Sequence, residues 1–397
     1  MTSNVKIYRS TDPGAAAITL YGSIPGTTGG AGGWIGVLRA CLINGYGSQN
    51  ASSVTVSSGV ATFNCAAHGF IVGQCLLLAG ATSPSTVVNG ERYVTATTEN
   101  TFTFATAHGD GSVTTTETIT AKVAPAGWTE PYSPTTTNIT CFKQGGGNGF
   151  CFNINDTAAQ TSVVHGFESM TACNIANGTG QFPTTSQLAT GVYWQRSSLT
   201  NTTTRQWIIL ATDRHLYLHV EQTVGDFLGS AIVNAFVDLK PYRPGDAYAT
   251  LLIGNVTGTS AGSLWYYMAP GATAVGGHYL ARSYLQIGGS IAAGKMVVDA
   301  GGAPLPTTMG AATTIPFPQP VNQSMWTTQI RVFDTGYSSS VIPRGVLPGI
   351  IAPLHNIPLT HRDTFTGSGD LAGKTFMAIS FYSNGQAFLE TSNTWDI

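Results

Sequence analysis

Residues 139–154 read ITCFKQGGGNGFCFNI, and this stretch decides the fold. Two short runs of β-branched, aromatic and cysteine residues flank the segment 145–149, whose glycines and asparagine suit a tight turn. The pattern predicts a β-hairpin. A Gly-rich loop can also bind phosphate, but this one lacks the Lys-Ser/Thr pair and the following helix that such a site needs. We therefore interpret residues 145–149 as a turn.

The same arrangement recurs along the chain, where runs rich in Thr, Val, Ile and aromatic residues are separated by Gly, Asn and Pro. Such runs are typical of short β-strands. In residues 207–218, two apolar runs flank Asp213-Arg214-His215, which predicts a polar hairpin turn between two buried strands. The sequence therefore predicts a mainly β, multi-domain protein built from β-sandwich or β-barrel modules.

One stretch near the N-terminus has helical spacing instead. The apolar residues of 34–42 recur at helical intervals, and the helix-breaking sequence NGYG follows at 44–47. This pattern predicts one short amphipathic helix packed on an N-terminal sheet. Two shorter segments, 185–189 and 231–239, are further helical candidates.

The length of 397 residues predicts two or three domains, at roughly 100 to 200 residues each. Residues 54–124 show strand alternation around small turns, as in VATF at 60–63, which predicts an inserted β-barrel-like module of five or six strands. Residues 1–53 and 125–260 would then form a discontinuous N-terminal and central β domain. The remaining residues, 261–397, would form a C-terminal β domain.

Charged residues are scarce, since only 9% of the chain is Asp, Glu, Lys or Arg, whereas soluble proteins carry about 25%. The hydrophobic content of 42% is enough for a folded core, so the low charge does not indicate disorder. Such a surface has few charges to keep copies apart, and its uncharged patches dehydrate at low cost when a protein docks. An enzyme instead concentrates ionisable groups in a cleft. The composition therefore favours a component of a large assembly.

The overall charge and the apolar runs exclude two kinds of partner. A net charge of −2 without a Lys/Arg cluster argues against direct binding of nucleic acid. The sequence contains no run of about 18 apolar residues, so it predicts no membrane span. The opening sequence MTSNVKIYRS lacks the basic and then apolar pattern of a signal peptide, so we expect synthesis in a cytoplasm.

The cysteines show no C-x-x-C spacing, which indicates neither a zinc site nor a redox motif. They are Cys41, Cys65, Cys75, Cys141, Cys151 and Cys173. We expect buried free thiols. Because Cys141 and Cys151 are nearly equidistant from the middle of the predicted turn, a cross-strand disulfide is the alternative to two reduced thiols.

Two short motifs resemble enzyme signatures, and the surrounding sequence argues against both. GTSAG at 258–262 matches the G-x-S-x-G elbow of hydrolases, but a strand-like run, LWYYM at 264–268, follows where a helix is needed. We interpret Ser260 as a loop residue. Gly373-Lys374-Thr375 resembles the end of a Walker A motif, but Ser368 replaces its first glycine and β-patterned sequence follows. Neither a hydrolase nor an NTPase is predicted.

The histidines next to charged residues or glycines are candidates for catalytic or metal-binding groups. Asp213-Arg214-His215 and His361-Arg362-Asp363 each place a His near a carboxylate, but no third catalytic group is indicated, so we interpret them as turns. His68 and His108 both precede Gly, and no Cys or carboxylate stands at ligand spacing beside them. We predict no catalytic, cofactor-binding or metal-binding residue, and no enzyme activity.

Four groups of segments stand out in the chain: APAGW (124–128) with PYS (131–133), GFESM (166–170) with FPT (182–184), RGVLPG (344–349) with LH (354–355), and LAGKT (371–375). Together with marks spread from about residue 35 to the C-terminus, these segments resemble a widespread group of tailed-bacteriophage virion structural proteins. Within the inserted module, AHGF at 67–70 and VGQ at 72–74 resemble small β-barrel modules of viral tail proteins. The resemblance covers nearly the whole chain and implies a place in the tail, tail tip or baseplate. It transfers no catalytic residue.

The residues of these segments suit architecture. Trp128 places a large ring beside a glycine, which permits close backbone approach, and Arg344-Gly345 followed by Pro348-Gly349 predicts a tight, fixed chain path. Two interpretations of Arg344 stay open at this point. It pairs with a carboxylate at a domain junction, or it is a solvated turn arginine.

The aromatic run around Trp265 is a further candidate. Consecutive aromatic residues in a strand point to opposite faces, so one face of this run is predicted to be core and the other an interface or a platform for sugars. The structural or interface candidates are Trp128, Arg344, Gly345, Pro348, Gly349 and Trp265.

The function predicted from the sequence is a structural component of a tailed-bacteriophage particle, in the tail tip or baseplate. Its partners would be copies of itself, in a ring or trimer, and other virion proteins, after synthesis in the host bacterial cytoplasm. One alternative is a capsid decoration or head-to-tail connector protein. Another is a glycan-binding receptor module for the host surface, which needs exposed aromatics beside Asn, Asp or Gln. A depolymerase would need two carboxylates about 5 to 9.5 Å apart, and the nearest candidates, Glu168 and Glu221, indicate no such pair.

Overall fold

The computed structural model describes residues 2–24, 32–82, 88–112, 118–134, 136–225, 231–256, 258, 277–296, 318, 320–337, 340–354, 359–381 and 385–396. The described chain is mostly β-strand, arranged in several antiparallel sheets, with one short helix near the N-terminus. The mainly β fold class predicted from the sequence is therefore confirmed. The membrane prediction has one structural counterpart: no helix in the described ranges has the length and apolar character needed to cross a bilayer.

The described chain contains thirty named strands, and their bounds follow in chain order. The first seventeen are β1 (Thr2–Asn4), β2 (Lys6–Arg9), β3 (Tyr46–Ala51), β4 (Ser53–Ser57), β5 (Val60–Asn64), β6 (Cys75–Ala79), β7 (Gly90–Tyr93), β8 (Ala96–Thr97), β9 (Thr101–Ala105), β10 (Gly111–Ser112), β11 (Ile119–Val123), β12 (Ile139–Lys143), β13 (Cys151–Asn155), β14 (Thr161–Phe167), β15 (Ser169–Met170), β16 (Gly178–Thr179) and β17 (Val192–Gln195). The others are β18 (Trp207–Ala211), β19 (His215–Glu221), β20 (Ala231–Asp238), β21 (Lys240–Pro241), β22 (Thr250–Ile253), β23 (His278–Leu280), β24 (Ile291–Met296), β25 (Thr327–Tyr337), β26 (Ser340–Pro353), β27 (Thr364–Thr366), β28 (Thr375–Phe381), β29 (Gly385–Glu390) and β30 (Thr394–Asp396).

The predicted N-terminal helix is present as α1 (Trp34–Leu38), which continues as a π-helical turn over Arg39–Asn44. Its apolar side chains are buried, as the amphipathic pattern predicts. Gly33 at the N-cap has no side chain to cap the helix, so the buried carboxylate of Asp156 accepts a hydrogen bond from the Ile35 amide at 3.3 Å instead. This bond ties the helix to the end of β13. Short 3₁₀ turns occur at Ala15–Ala17, Ile175–Asn177 and Gly369–Leu371.

Two small sheets are built from residues 46–123. One has the strand order β10-β4-β5-β9-β8, and the other has the order β3-β11-β6-β7. The alternating pattern of β4, β5 and β9 puts every second side chain inside, where Phe63 stacks on Phe102 with ring centroids 4.7 Å apart. The boundaries of the three predicted domains remain a prediction.

The hairpin predicted at residues 139–154 is formed by β12 and β13, and it belongs to a four-stranded sheet of order β12-β13-β14-β17. The hairpin predicted at residues 207–218 is formed by β18 and β19. These two strands lie in a thirteen-stranded sheet of order β2-β18-β19-β20-β22-β23-β24-β25-β26-β29-β28-β27, in which β21 also pairs with β26. Strands from both sides of residue 260 therefore share one hydrogen-bonded sheet.

The large sheet separates two hydrophobic cores. On one face, side chains such as Trp207 and Phe236 join the main core, which also contains Phe152 and Trp194 from the four-stranded sheet. On the other face, β18–β23 pack through residues such as Leu251 against β25–β29 of the same sheet, enclosing a second core. The structure is thus layered, and the four-stranded sheet forms an outer layer.

Residues 231–238 form strand β20, so the helical candidate at 231–239 is wrong. β20 is central in the large sheet, paired with β19 and β22. Val233, Ala235 and Val237 face the second core, whereas Phe236 faces the main core. A strand buried on both faces has apolar residues at most positions, and so loses the period-two pattern that identifies a strand.

Residues 185–189 form turns, so this helical candidate is also wrong. The side chain of Gln187 accepts a hydrogen bond from the Thr184 amide at 2.8 Å, and the Gln187 amide donates to Thr184 Oγ1 at 3.3 Å. This is the reciprocal arrangement of a helix N-terminus. The helix does not continue, because Gly191 adopts a left-handed φ of 78° and leads directly into β17.

The first and last strands are neighbours. β1 pairs antiparallel with β30, with Thr2 opposite Asp396 and Asn4 opposite Thr394. Trp395 in β30 is buried in the second core. The two ends of the described chain are therefore held in one place.

Candidate functional site

The outer face of the four-stranded sheet carries a pocket of about 410 Å³. Alternate residues of β13 point to opposite faces of the sheet, so Phe152 enters the main core while Asn153 lies at the pocket. Asn155, His165 and Tyr193 also line it. A pocket of this volume falls within the range of small-molecule sites, about 300 to 1,000 Å³.

The register of the sheet places these residues in two rows across neighbouring strands. Asn153 on β13 is opposite His165 on β14. In the next row Asn155 is opposite Val163, which is opposite Tyr193 on β17. Because adjacent strands lie about 4.8 Å apart, the rows bring amide, imidazole and phenol groups into one small area.

The two asparagines of β13 present complementary polar atoms. Asn153 donates from Nδ2 to the carbonyl oxygens of Thr140 at 3.2 Å and Cys173 at 3.3 Å, and its Oδ1 has no donor among the described residues. Asn155 accepts at Oδ1 from the Thr157 amide at 3.2 Å and hydroxyl at 2.7 Å. Its Nδ2 has no acceptor within the described chain. The pocket therefore offers one amide acceptor and one amide donor.

His165 is the most unusual polar group of the pocket. It is 5% exposed, and its Nε2 has no hydrogen-bond partner in the part of the chain that the structure describes. Burial lowers the pKa of His165 to about 4, so the imidazole is neutral at neutral pH. The ring fits only because residue 191 is glycine, since a Cβ there would lie 2.5 Å from His165 Cε1.

The pocket carries no charge, since none of its described lining residues is Asp, Glu, Lys or Arg. Its rim is formed partly by Thr190 and by Ile175, which is 43% exposed. Asn174 also lies at the rim, where its side chain caps the 3₁₀ turn by accepting from the Ala176 amide at 3.0 Å. The pocket thus suits a neutral ligand that has both polar and apolar surfaces.

Sequence reasoning missed the residues of this pocket. The signal present in the sequence is the alternation of β13, FNIN at 152–155, in which polar residues occupy every second position. Such alternation shows that one strand face is polar. The partners from β14 and β17 become visible only through the register.

Arg344 lies in a buried ionic cluster, so the interpretation as a solvated turn arginine is wrong. It is 2% exposed, and its Nε and Nη2 donate to Asp246 Oδ2 at 3.0 and 2.8 Å. Its Nη1 donates to the Arg282 carbonyl at 2.7 Å and lies 3.8 Å from Asp334 Oδ2. Arg344 therefore connects β26 to β25 and to the segments that follow β21 and β23.

The neighbouring candidates Gly345, Pro348 and Gly349 are packing positions. A Cβ on Gly345 would lie 2.4 Å from the Lys240 carbonyl oxygen, where β21 pairs with β26. The Pro348 carbonyl accepts a hydrogen bond from the buried Tyr217 hydroxyl at 2.8 Å. Gly349 has a φ of 66°, and a Cβ there would lie 2.0 Å from the ring of Trp395. Their role as interface residues stays a prediction.

Pro348 and Gly349 also line a second pocket of about 410 Å³. Its charged groups include Lys374 and Glu390, whose Nζ and Oε2 are 3.0 Å apart. Because this lysine pairs with Glu390 and is followed by β28, the structure gives the Gly373-Lys374-Thr375 motif no helix N-terminus for a phosphate.

Trp128 is a core residue. Its indole Nε1 donates to the Thr212 carbonyl at 2.7 Å, and its ring lies edge-on to those of Phe152 and Phe236 at 5.7 and 6.0 Å. It thereby fixes the hairpin turn after β18 onto the four-stranded sheet. Trp265, the remaining candidate, lies outside the described residues, as do Ser260 and the run that follows it.

The cysteines are all free and buried, as expected. The proposed alternative, a Cys141–Cys151 disulfide, is wrong because the register pairs Cys141 with Asn153 and Lys143 with Cys151. The hairpin is centred on Gly147, so Cys141 lies six residues before the centre and Cys151 only four after it. The sulfur closest to Cys141 Sγ is that of Cys173, at 3.0 Å.

The candidate catalytic groups contact other groups of the protein. His215 is not in the turn but begins β19, where its ring bonds Thr212 Oγ1 at 2.8 Å and the Asp238 carbonyl at 3.0 Å. His361 stacks on His219 with centroids 4.9 Å apart. Glu168 forms a bidentate pair with Arg282 at 2.5 and 2.6 Å.

The histidine considered as a metal ligand, His68, also bonds to groups of the protein. His68 is buried, bonded through Nε2 to the Thr101 carbonyl at 2.9 Å and through Nδ1 to the Phe70 amide at 2.8 Å. Within the described ranges no group of three or more His, Cys, Asp or Glu residues is placed to hold a metal ion.

Neither a protein-family model nor a curated protein matches this chain.

Proposed function

We propose that the protein is a structural component of a tailed-bacteriophage particle, placed in the tail tip or baseplate. In this role it assembles with copies of itself and with other virion proteins, and it carries no catalytic residue, cofactor or metal. The proposal rests on the resemblance of its sequence segments to virion structural proteins and on the nature of its surface.

The observation that carries the proposal is where the few charged residues lie. Of 17 Lys and Arg and 19 Asp and Glu residues in the chain, eleven are buried within the part that the structure describes. The eleven are Lys6, Asp12, Asp156, Arg196, Arg205, Glu221, Asp238, Asp246, Asp334, Arg344 and Glu390. The surface therefore carries at most 25 of the 36 charged side chains of this 397-residue chain. Its uncharged polar patches can be buried against a partner without desolvating ions, as repeated contacts in a particle require.

The buried charges support the same role from the inside. Arg196 and Asp156 form an ion pair whose side chains are both fully buried, and this pair also holds the α1 N-terminus through Asp156. Buried pairs of this kind fix geometry more than they add stability. A subunit that must repeat the same contacts many times benefits from such a fixed geometry.

The same surface suits a capsid decoration or a head-to-tail connector protein, which differs from the proposal in its location. A second function of another class, a glycan-binding receptor module, is favoured by the uncharged pocket on the four-stranded sheet. That pocket places Tyr193 beside Asn153 and Asn155.

Immunogold electron microscopy of intact particles, with purified heads and tails labelled separately, tests the proposal. Label at the distal tail is expected. Label over the head would move the protein to the capsid or connector, and absence from purified particles would refute a structural role.

A further inference from the structure

The pocket on the four-stranded sheet has the polar groups of a binding site. Asn153 and His165 are 2% and 5% exposed, yet Asn153 Oδ1 and His165 Nε2 have no hydrogen-bond partner among the described residues. Buried polar atoms are nearly always bonded, because leaving them unpaired costs stability. His165 Nε2 is such an atom, and Asn153 Oδ1 in the neighbouring position is unpaired without being fully enclosed, so a molecule in the pocket could bond both.

The electrostatics of the pocket define the charge of that ligand. No Asp, Glu, Lys or Arg lies among its described lining residues, and His165 is neutral. A phosphate, carboxylate or ammonium group would lose its hydration here without gaining a countercharge. The ligand is therefore uncharged.

The lining also defines its shape. Asn155 Nδ2 donates and Asn153 Oδ1 accepts, a combination that suits hydroxyl groups, which are both donors and acceptors. The half-buried ring of Tyr193 and the exposed side chain of Ile175 offer apolar surface beside them. Sugars combine hydroxyl groups at their edges with C–H groups on their faces.

We propose that this pocket binds one neutral sugar unit of a surface glycan, with Asn153, Asn155 and His165 bonding its hydroxyls and Tyr193 packing on its C–H face. The inference rests on the glycan-binding function and is independent of the place of the protein in the virion. An uncharged peptide segment is the competing occupant. It is less well matched, because the backbone groups of the strands in these rows already bond each other within the sheet and are not left to bond a peptide.

The test uses the full chain and a panel of neutral sugars: glucose, galactose, mannose, rhamnose, N-acetylglucosamine and N-acetylgalactosamine. Saturation-transfer NMR is expected to detect at least one of them with a Kd of about 1 mM, as befits a ligand of this size. Thr190→Tyr places a ring at the exposed rim and should abolish the signal. The matched control is Thr185→Tyr, which adds the same ring at an exposed position of the preceding turn and should leave binding unchanged.

Two further variants separate contact from folding. Tyr193→Ala should weaken binding at least tenfold, whereas Tyr193→Phe keeps the ring and should change it less than threefold. Circular dichroism and the unfolding midpoint verify that each variant is folded. The proposal is overturned if no sugar of the panel binds below about 10 mM, if only an uncharged peptide binds, or if binding survives Thr190→Tyr. In the last case the protein would still bind glycans, but elsewhere, and the immunogold result would be unaffected by any of these outcomes.

Discussion

Replacing Arg344 with methionine removes the only cation that contacts Asp246 among the described residues, and does so at a site with almost no water. Met keeps most of the volume of the arginine stem, so the change tests charge and hydrogen bonding more than packing. Arg344 makes two hydrogen bonds to Asp246 and one to the Arg282 carbonyl. Its loss leaves the carboxylates of Asp246 and Asp334 buried, at 6% and 0% exposure.

The expected cost follows from those contacts. Breaking a buried ion pair by removing one partner destabilises proteins by about 3 to 5 kcal/mol, because the remaining charge stays desolvated. The matched control is Lys374→Met. Lys374 is 38% exposed in its pair with Glu390, which is 9% exposed, so water reaches one side of this pair and its loss should cost less than that of Arg344. Neutralising one orphaned carboxylate in the double variant Arg344→Met/Asp246→Asn should restore part of the loss.

Urea unfolding followed by tryptophan fluorescence measures the three variants against the parent protein, with midpoints compared at constant slope. We expect a large shift for Arg344→Met, a clearly smaller one for Lys374→Met, and a shift for the double variant that is smaller than that of Arg344→Met. Equal midpoints for Arg344→Met and Lys374→Met would refute the claim that the cluster is desolvated. A double variant less stable than Arg344→Met would refute the claim that the orphaned carboxylate causes the loss.

Three further predictions concern packing, protonation and sulfur chemistry. Gly349→Ala should lower the free energy of unfolding by about 2 kcal/mol or more, since the new Cβ meets Trp395 at a left-handed φ, and unchanged thermal unfolding would contradict it. Burial lowers the pKa of His215 to about 3, so the stability that its neutral imidazole contributes is complete above the unfolded pKa of about 6.5 and is lost as pH falls toward 3. His215→Gln should reduce the slope of the unfolding free energy against pH in that window by up to about 1.4 kcal/mol per pH unit, and equal slopes for the variant and the parent protein would exclude this. Hydrogen peroxide should join Cys141 to Cys173 in the folded protein, as two thiols are oxidised to a disulfide and one peroxide is reduced to water. The reaction should be slow because burial raises the pKa of the Cys141 thiol, and peptide mapping that finds neither cysteine in a disulfide would contradict the contact.

The sequence predicts elements best where one face is buried and the turn residues are unambiguous. The hairpin at 139–154 is an example: its strands are correct, and the Gln144 amide bonds the Phe150 carbonyl and closes a loop centred on Gly147, the middle of the predicted turn. The disulfide alternative is wrong because Cys141 and Cys151 are not equidistant from that residue, lying six and four positions away.

The errors of the sequence prediction occur where tertiary structure decides. β20 reads as a helix because both of its faces are buried, and no local pattern shows that it lies between two cores. Arg344 finds Asp246 across 98 residues of chain. The pocket combines β13, β14 and β17 with a turn, so its candidate groups can be assembled only after the register is known.

The pairing of β1 with β30 bears on how the protein is made. Thr2 is synthesised long before its partner Asp396. The edge of β1 therefore stays unpaired while the residues between them are made, and Trp395 cannot occupy the second core until residues 394–396 have left the ribosome. Contacts so distant in sequence slow folding, and unpaired strand edges invite association with other chains. The second core is thus completed only when β30 is free to pair with β1, which delays the mature surface and its assembly until then.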